Sequence, residues 1–256
     1  MAKFSAKGSV KFSSSRKGLR KTQRKRTAKP SRAVKSYVKS IVLRNIETKM
    51  NDVEQTGKAI LGVISNNEVY TLLPSLSMGT GESNRIGNKV NCKSLTLRMS
   101  LYCYNQANTT PPVYFDIYIF KSKNKNVGAG QPTSADMAMF LEDGNSSKQY
   151  VGTSLDGMRY LNNDMFTLCK HKRIVLYNPY QAGISSTASI NPHKYLSFNL
   201  TKYIKNSWCF NDTTNTIEND NLYICVGATL TSGATLPINS FFGDYSYLIQ
   251  AKYKDA

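Results

Sequence analysis

The chain has 256 residues, of which 34 are Lys or Arg and 16 are Asp or Glu, giving a formal charge of +18. A length of this order suits one large β sandwich or two small domains, and it buries enough surface for a core that needs no disulfide or metal staple. No uncharged apolar run approaches the roughly 18 residues of a membrane span, and no apolar stretch follows the basic N-terminus as in a secretory signal. Neither membrane insertion nor secretion is expected.

The charge is unevenly placed. Residues 1–49 hold 16 basic residues and a single acid, Glu47, whereas the rest of the chain holds 18 basic and 15 acidic residues. Residues 1–30 are mostly Lys, Arg, Ser and Gly with almost nothing apolar to bury, so chain entropy predicts a disordered arm. Lys11, Arg16, Lys17, Arg20, Lys21, Arg24, Lys25, Arg26 and Lys29 of this arm, with Arg32, Lys35 and Lys39 beyond it, are the candidate nucleic-acid contacts. A basic run of this kind is a solvated tail, a nuclear import signal or a phosphate-binding segment. Fourteen basic residues precede Arg44 without an acid among them, which disfavours the plain tail. The other two readings are compatible, because KTQRKR at residues 21–26 can meet an import receptor before the arm meets a phosphate backbone. A flexible polycation contacts phosphates and not base edges, so no sequence readout is expected.

Lys29-Pro30-Ser31 reads as a helix start, with Ser31 placed to cap the first turn. Val34, Tyr37, Val38, Ile41 and Val42 then recur at helical spacing, while Arg32, Lys35 and Lys39 fall on another face. The spacing predicts a short basic amphipathic helix over 31–46. A third segment, 47–256, follows it.

In that segment the period changes to two. Leu95, Leu97, Met99, Leu101 and Cys103 alternate with Ser94, Thr96, Arg98, Ser100 and Tyr102, as in a half-buried strand. Val113, Phe115, Ile117 and Ile119, then Leu196, Phe198 and Leu200, then Leu222, Ile224, Val226 and Ala228, alternate in the same way. Residues 69–73, 166–177 and 245–253 are weaker candidates, and 133–142 is a possible helical insertion. Gly-, Asn-, Ser- and Pro-rich connections separate these runs. Seven or eight strands with long polar loops predict an antiparallel sandwich.

Catalytic chemistry is sparse. His171 and His193 are the two histidines, which is too few for a multi-histidine metal centre, and no G-x-S-x-G elbow or Cys-plus-His signature accompanies them. GTGESNRIG at residues 79–87 lacks the G-K-[ST] ending of a phosphate-binding loop and reads as a loop entering a strand. Glu142-Asp143 and Glu218-Asn219-Asp220 read as solvated turns, with a cation site between subunits as the sharper alternative. The five cysteines are odd in number and scattered, so buried free thiols in a reducing compartment are expected. The expectation is a protein that is not an enzyme and has no cofactor.

Three stretches carry a resemblance to a known family. SRAVKSYVKSIVLRNIETK (31–49) resembles the arm helix and first strand, NRIGNKVNCKSLTLRMSLY (84–102) the Arg-x-Gly loop entering a long strand, and YSYLIQAKYKDA (245–256) the closing strand. The family is that of the small capsid proteins of satellite tobacco necrosis virus and of similar circular single-stranded DNA viruses. The resemblance implies an all-β fold, an eight-stranded antiparallel jelly-roll sandwich behind the arm and helix. It also implies a virion shell of about 60 copies, with residues 3–39 on the genome and 50–256 forming the shell. Those copies would bring about 840 arm charges inward, on the order of the charge of one to two thousand phosphates. The chain is longer than the satellite protein around 124–153 and 184–215, which fits the DNA-virus relatives and favours single-stranded DNA over RNA. Assembly in the host nucleus is expected, with an import receptor as a further partner. Glu47 sits where the family places a calcium ligand, and the other ligands do not align. A nuclear β-sandwich protein that binds nucleic acid without forming shells remains the alternative.

Overall fold

The computed structural model describes residues 31–45, 47–103, 112–123, 130–176, 193–211, 215–230 and 241–255. The arm (1–30), most of the predicted long loops and the side chains at 39, 40 and 42–45 lie outside the described residues. The chain divides into two units, Met1–Ile46 and Glu47–Ala256.

In the first unit, helix α1 spans Arg32–Asn45. Ser31 caps it as its position predicts: the Val34 N–H donates to Ser31 Oγ (3.3 Å) and the Lys35 N–H to the Ser31 carbonyl (3.0 Å). Val34, Tyr37, Val38 and Ile41 share one stripe and are all exposed.

In the second unit, eight strands make a sandwich. The first sheet runs β1 (Lys49–Leu61), β11 (Phe241–Asp255), β3 (Lys89–Cys103), β8 (His193–Asn199), with β9 (Ser207–Cys209) extending β3. The second runs β2 (Tyr70–Thr71), β10 (Tyr223–Leu230), β4 (Val113–Ser122), β7 (Phe166–Leu176). Every pairing is antiparallel. With these eight numbered in chain order, the first pairs the eighth, the second the seventh, the third the sixth and the fourth the fifth. One long antiparallel ribbon is thus wound across two sheets, which is the jelly roll.

Alternation fills the space between the sheets. On β3, Leu95, Leu97, Met99, Leu101 and Cys103 point inward and are buried, facing Phe115, Ile117 and Ile119 of β4 and Ile224, Val226 and Ala228 of β10 in one core. Towards the start of β3, Val90 and Cys92 point the same way because a bulge opposite Lys252 and Tyr253 adds Lys93 and resets the phase. β2, expected over 69–73, is only two residues long. β1 lacks a clear alternation in KMNDVEQTGKAIL, since it is an edge strand broken by a bulge at Gly57, where φ is +60°. Its start is tied to the far end of the chain: Lys49 Nζ lies 2.9 Å from Asp255 Oδ2, and Asp255 Oδ1 accepts from the Ile86 N–H at 2.8 Å.

The alternation on β4 suggests one wet face, and here the structure differs. The segment between β4 and β7 folds back over the outside of the second sheet. It contains α2 (Ser134–Ala138), capped reciprocally by Thr133 and Asp136, and the hairpin β5 (Leu141–Asp143) and β6 (Ser146–Lys148). Met137, Phe140, Leu141, Tyr150 and Leu161 from this cover form a second core with Tyr118, Phe120, Tyr223 and Cys225 of the sheet. The central strands of the second sheet, β4 and β10, are therefore buried on both faces, whereas the first sheet keeps an open outer face.

The cysteines are free, with Cys92, Cys103 and Cys225 buried and Cys169 and Cys209 half-buried, so the burial expected of all five holds for three. Desolvation pushes the Cys92 thiol up to about 12 and the Cys103 thiol to about 11, and raises Cys225 well above the ordinary range. The thiolate is the reactive form. Native protein titrated with a chromogenic disulfide reagent near pH 8 should yield at most two equivalents, from Cys169 and Cys209, and five only after denaturation. Three or more fast native equivalents would contradict this packing.

Candidate functional site

The cover over the second sheet rests on a buried charge. β4 places Tyr114, Asp116, Tyr118 and Phe120 on the covered face, and the register sets Asp116 between Arg173 of β7 and Gly227 of β10, with Tyr118 opposite His171. Asp116 is fully buried. Its Oδ1 accepts from Arg173 Nε at 2.8 Å and lies 3.0 Å from His171 Nε2. Its Oδ2 accepts from Arg173 Nη2 at 2.8 Å and from the Tyr150 hydroxyl at 3.0 Å, with Thr229 Oγ1 at 3.5 Å. Burial alone would raise the Asp116 carboxyl, but the hydrogen bonds and charges of Arg173 and His171 outweigh it and hold the group below its ordinary value. The His171 ring stacks on Tyr118 with centroids 4.4 Å apart.

From above, the cover completes the enclosure. A Cβ at Gly157 would overlap the Arg173 guanidinium and Asp116 Oδ2, so the backbone lies directly on the ion pair. The turn carrying Gly157 is held by Asp156, whose Oδ2 accepts from the Val151 and Thr153 N–H groups at 2.9 and 3.0 Å. With both Asp116 oxygens fully engaged, the group neutralises and locates; it has no free lone pair with which to take a proton from a substrate. A lone Asp in VYFDIYIF was the signal in the sequence, since a charge in an apolar strand needs a buried partner.

The predicted nucleic-acid contacts are placed only in part. Arg32 and Lys35 are exposed on α1, and Lys39 lies within it. Lys11, Arg16, Lys17, Arg20, Lys21, Arg24, Lys25, Arg26 and Lys29 lie outside the described residues. The second histidine, His193, is exposed on the open face of the first sheet between Tyr102 (5.8 Å) and Tyr195 (5.2 Å). A shallow groove of about 530 Å³ crosses this face, lined by Glu54, Arg98, Ser100, Tyr195, Ser246 and Leu248.

Of the two acidic segments expected as solvated turns, the first lies at the exposed β5–β6 hairpin and the second is solvated at Glu218 but not at Asp220. Glu142 and Asp143 belong to β5, and Asp143 pairs with Arg159. Asp220 is buried, with Lys121 Nζ 2.5 Å from its Oδ1 and the Lys205 N–H donating to its Oδ2 at 2.6 Å, so it ties β4 to the loops around it. The Arg of the Arg-x-Gly stretch, Arg85, is 1% exposed. It donates to the carbonyls of Leu76 (3.1 Å) and Gly87 (2.6 Å) and to Asn88 Oδ1 (3.0 Å), and lies over Phe210. It organises the loop that feeds β3, and no helix follows that loop. Among the described residues no cluster of three or more His, Cys, Asp or Glu side chains could hold an ion, and Glu47 is exposed.

No protein-family model matches the sequence, and no curated protein does. Among solved structures, VP1 of trichodysplasia spinulosa-associated polyomavirus in complex with 3'-sialyllactose is 10% identical at a TM-score of 0.29, covering 82% of this chain and 97% of that one. The unassembled pentamer of Merkel cell polyomavirus VP1 is 9% identical at a TM-score of 0.22, covering 80% and 94%. Dimeric latent PorU from Porphyromonas gingivalis is 10% identical at a TM-score of 0.28, and the chain spans 13% of its length. The likeness is distant and concerns β architecture alone.

The ion pair gives a signed pH dependence. Because the folded-state value of Asp116 lies below its unfolded value of about 3.9, its stabilisation is complete above that value and is lost as pH falls through the folded one. Asp116→Asn leaves Arg173 without its counter-ion and should cost about 3 kcal/mol at pH 7, with a smaller deficit below about pH 4. Urea unfolding at the two pH values measures this; a deficit that grows with acid would contradict the assignment.

Proposed function

We propose that this chain is a viral capsid subunit that assembles into an icosahedral shell of about 60 copies and packages single-stranded nucleic acid, DNA before RNA, through its basic arm. The observation that carries the reading is the junction of two opposites in one chain: a +15 stretch over residues 1–49 and a jelly roll whose charge is close to balanced. Fold alone does not assign function; the three resembling stretches supply the family, and the charge supplies the mechanism. Each phosphate contact releases counter-ions, so a polycation binds nucleic acid tightly and without regard to sequence. A near-neutral body lets copies approach one another without strong mutual repulsion.

In this reading the α1 basic face joins the arm on the genome, KTQRKR serves import into the host nucleus, and the mature location is the virion. Asp116 and its partners stabilise the shell domain and perform no catalysis. The absence of further acids before Glu47 keeps the whole arm available to phosphate.

Full-length protein expressed and imaged by negative stain should form closed particles containing nuclease-protected nucleic acid. Removal of residues 1–30 should leave particles, empty or altered in size. Binding of single-stranded oligonucleotide by the full chain should fall with salt at a log–log slope of about −7 to −10, and the truncated chain should lose most of that slope. Persistent monomers at every ionic strength, with or without nucleic acid, would overturn the proposal in favour of a nuclear binding protein that forms no shells.

A further inference from the structure

The near-neutral charge of the body conceals a polarity. Residues 165–211 contain six Lys or Arg and no Asp or Glu, whereas the rest of 50–256 holds 12 basic and 15 acidic residues. The fold brings the two long strands of this tract, β7 and β8, to one side of the sandwich, because they are the terminal strands of their sheets. Lys170 and Lys172 of β7 reach across to β8, with Nζ atoms 5.1 and 5.9 Å from the Phe198 ring centroid. Lys170, Lys172, His193 and Lys194 are exposed. Arg173 is committed to Asp116, but Lys170, Lys172 and Lys194 have no carboxylate partner among the described residues.

The other side of the sandwich is formed by the opposite terminal strands, β1 and β2, which adjoin where Lys58 lies 4.6 Å over the Tyr70 ring. Glu47, just before β1, and Asp52 and Glu54, on the outward side of this terminal strand, are exposed and have no cationic partner among the described residues. Lys49 does not offset them, because it is paired with Asp255, and Lys58, over the Tyr70 ring, offsets only one of the three. Opposite edges of one subunit thus carry opposite charge.

We infer that the β7/β8 edge of one copy docks on the β1/β2 edge of the next, a contact that rests on the assembly reading above and gives it a direction. Like edges repel, which also keeps the open strands from pairing with themselves. Unlike edges attract, and the charges fix partner and orientation. Such a head-to-tail contact uses two different patches of one surface, so it repeats from copy to copy and gives a ring when the rotation between copies closes, as a closed shell requires. The rival occupant of the basic edge is nucleic acid, and charge exchange separates the two.

Three full-length variants provide the test: Lys170→Glu with Lys172→Glu and Lys194→Glu; Asp52→Lys with Glu54→Lys; and all five together. All five positions are exposed, so folding is preserved and is checked by circular dichroism. Sedimentation velocity and negative stain should show self-association weakened about 100-fold in each single-edge variant and returned to within about tenfold of wild type in the combined one. Wild-type particles that persist in all three variants, or a combined variant that assembles no better than the single-edge ones, would overturn the edge contact and leave the capsid proposal standing. Loss of bound nucleic acid in the lysine variant alone, with assembly intact throughout, would assign the edge to nucleic acid and overturn the contact as well. A wild type that never self-associates would overturn both.

Discussion

A sheet covered on both faces hides polar groups from water, and a charge hidden without a partner is among the costliest defects a protein can hold. Asp116 is where this constraint falls. The second sheet is enclosed because a guanidinium, an imidazole and a phenol converge on one carboxylate, with a glycine laid over it. The cover, its helix and its hairpin all take their positions from a floor that this pair makes electrically neutral.

The two sheets therefore have different fates. The second, sealed by the cover, offers the outside only what the cover presents, including the exposed Leu155, Met158 and Tyr160. The first keeps its outer face open, with small polar side chains, three adjoining rings and a shallow groove. Between them run two edges of opposite sign. A sandwich built this way differs from one side to the next.

Much of the sandwich was legible because strands facing a core on one side write their period into the sequence. β3, β4, β8 and β10 were read from that alternation, and Ser31 announced α1. β1 was not, since an edge strand with a bulge has neither a continuous apolar face nor a constant phase. β9, β5 and β6, at three residues each, are too short to show any period. Of the cover, the helical insertion expected over 133–142 is found as α2, but its place on the sheet was not legible: Tyr118 and Tyr223 look like tolerable surface residues until something is known to lie on them. The charged edges show the same limit. The acid-free tract is visible by counting, but it becomes a surface only when β7 and β8 prove to be neighbours. The arm, which carries most of the functional argument, is legible in composition alone.

The second core also orders events in time. Its floor is assembled from β4, β7 and β10, strands that stand far apart in the chain, while its lid is the single segment between two of them. The lid has no apolar surface to condense on until those distant strands have paired, and pairing across such separations is the slow step in folding β proteins. Closure of the lid thereby follows the pairing of these strands, and full burial of the Asp116 carboxylate follows with it.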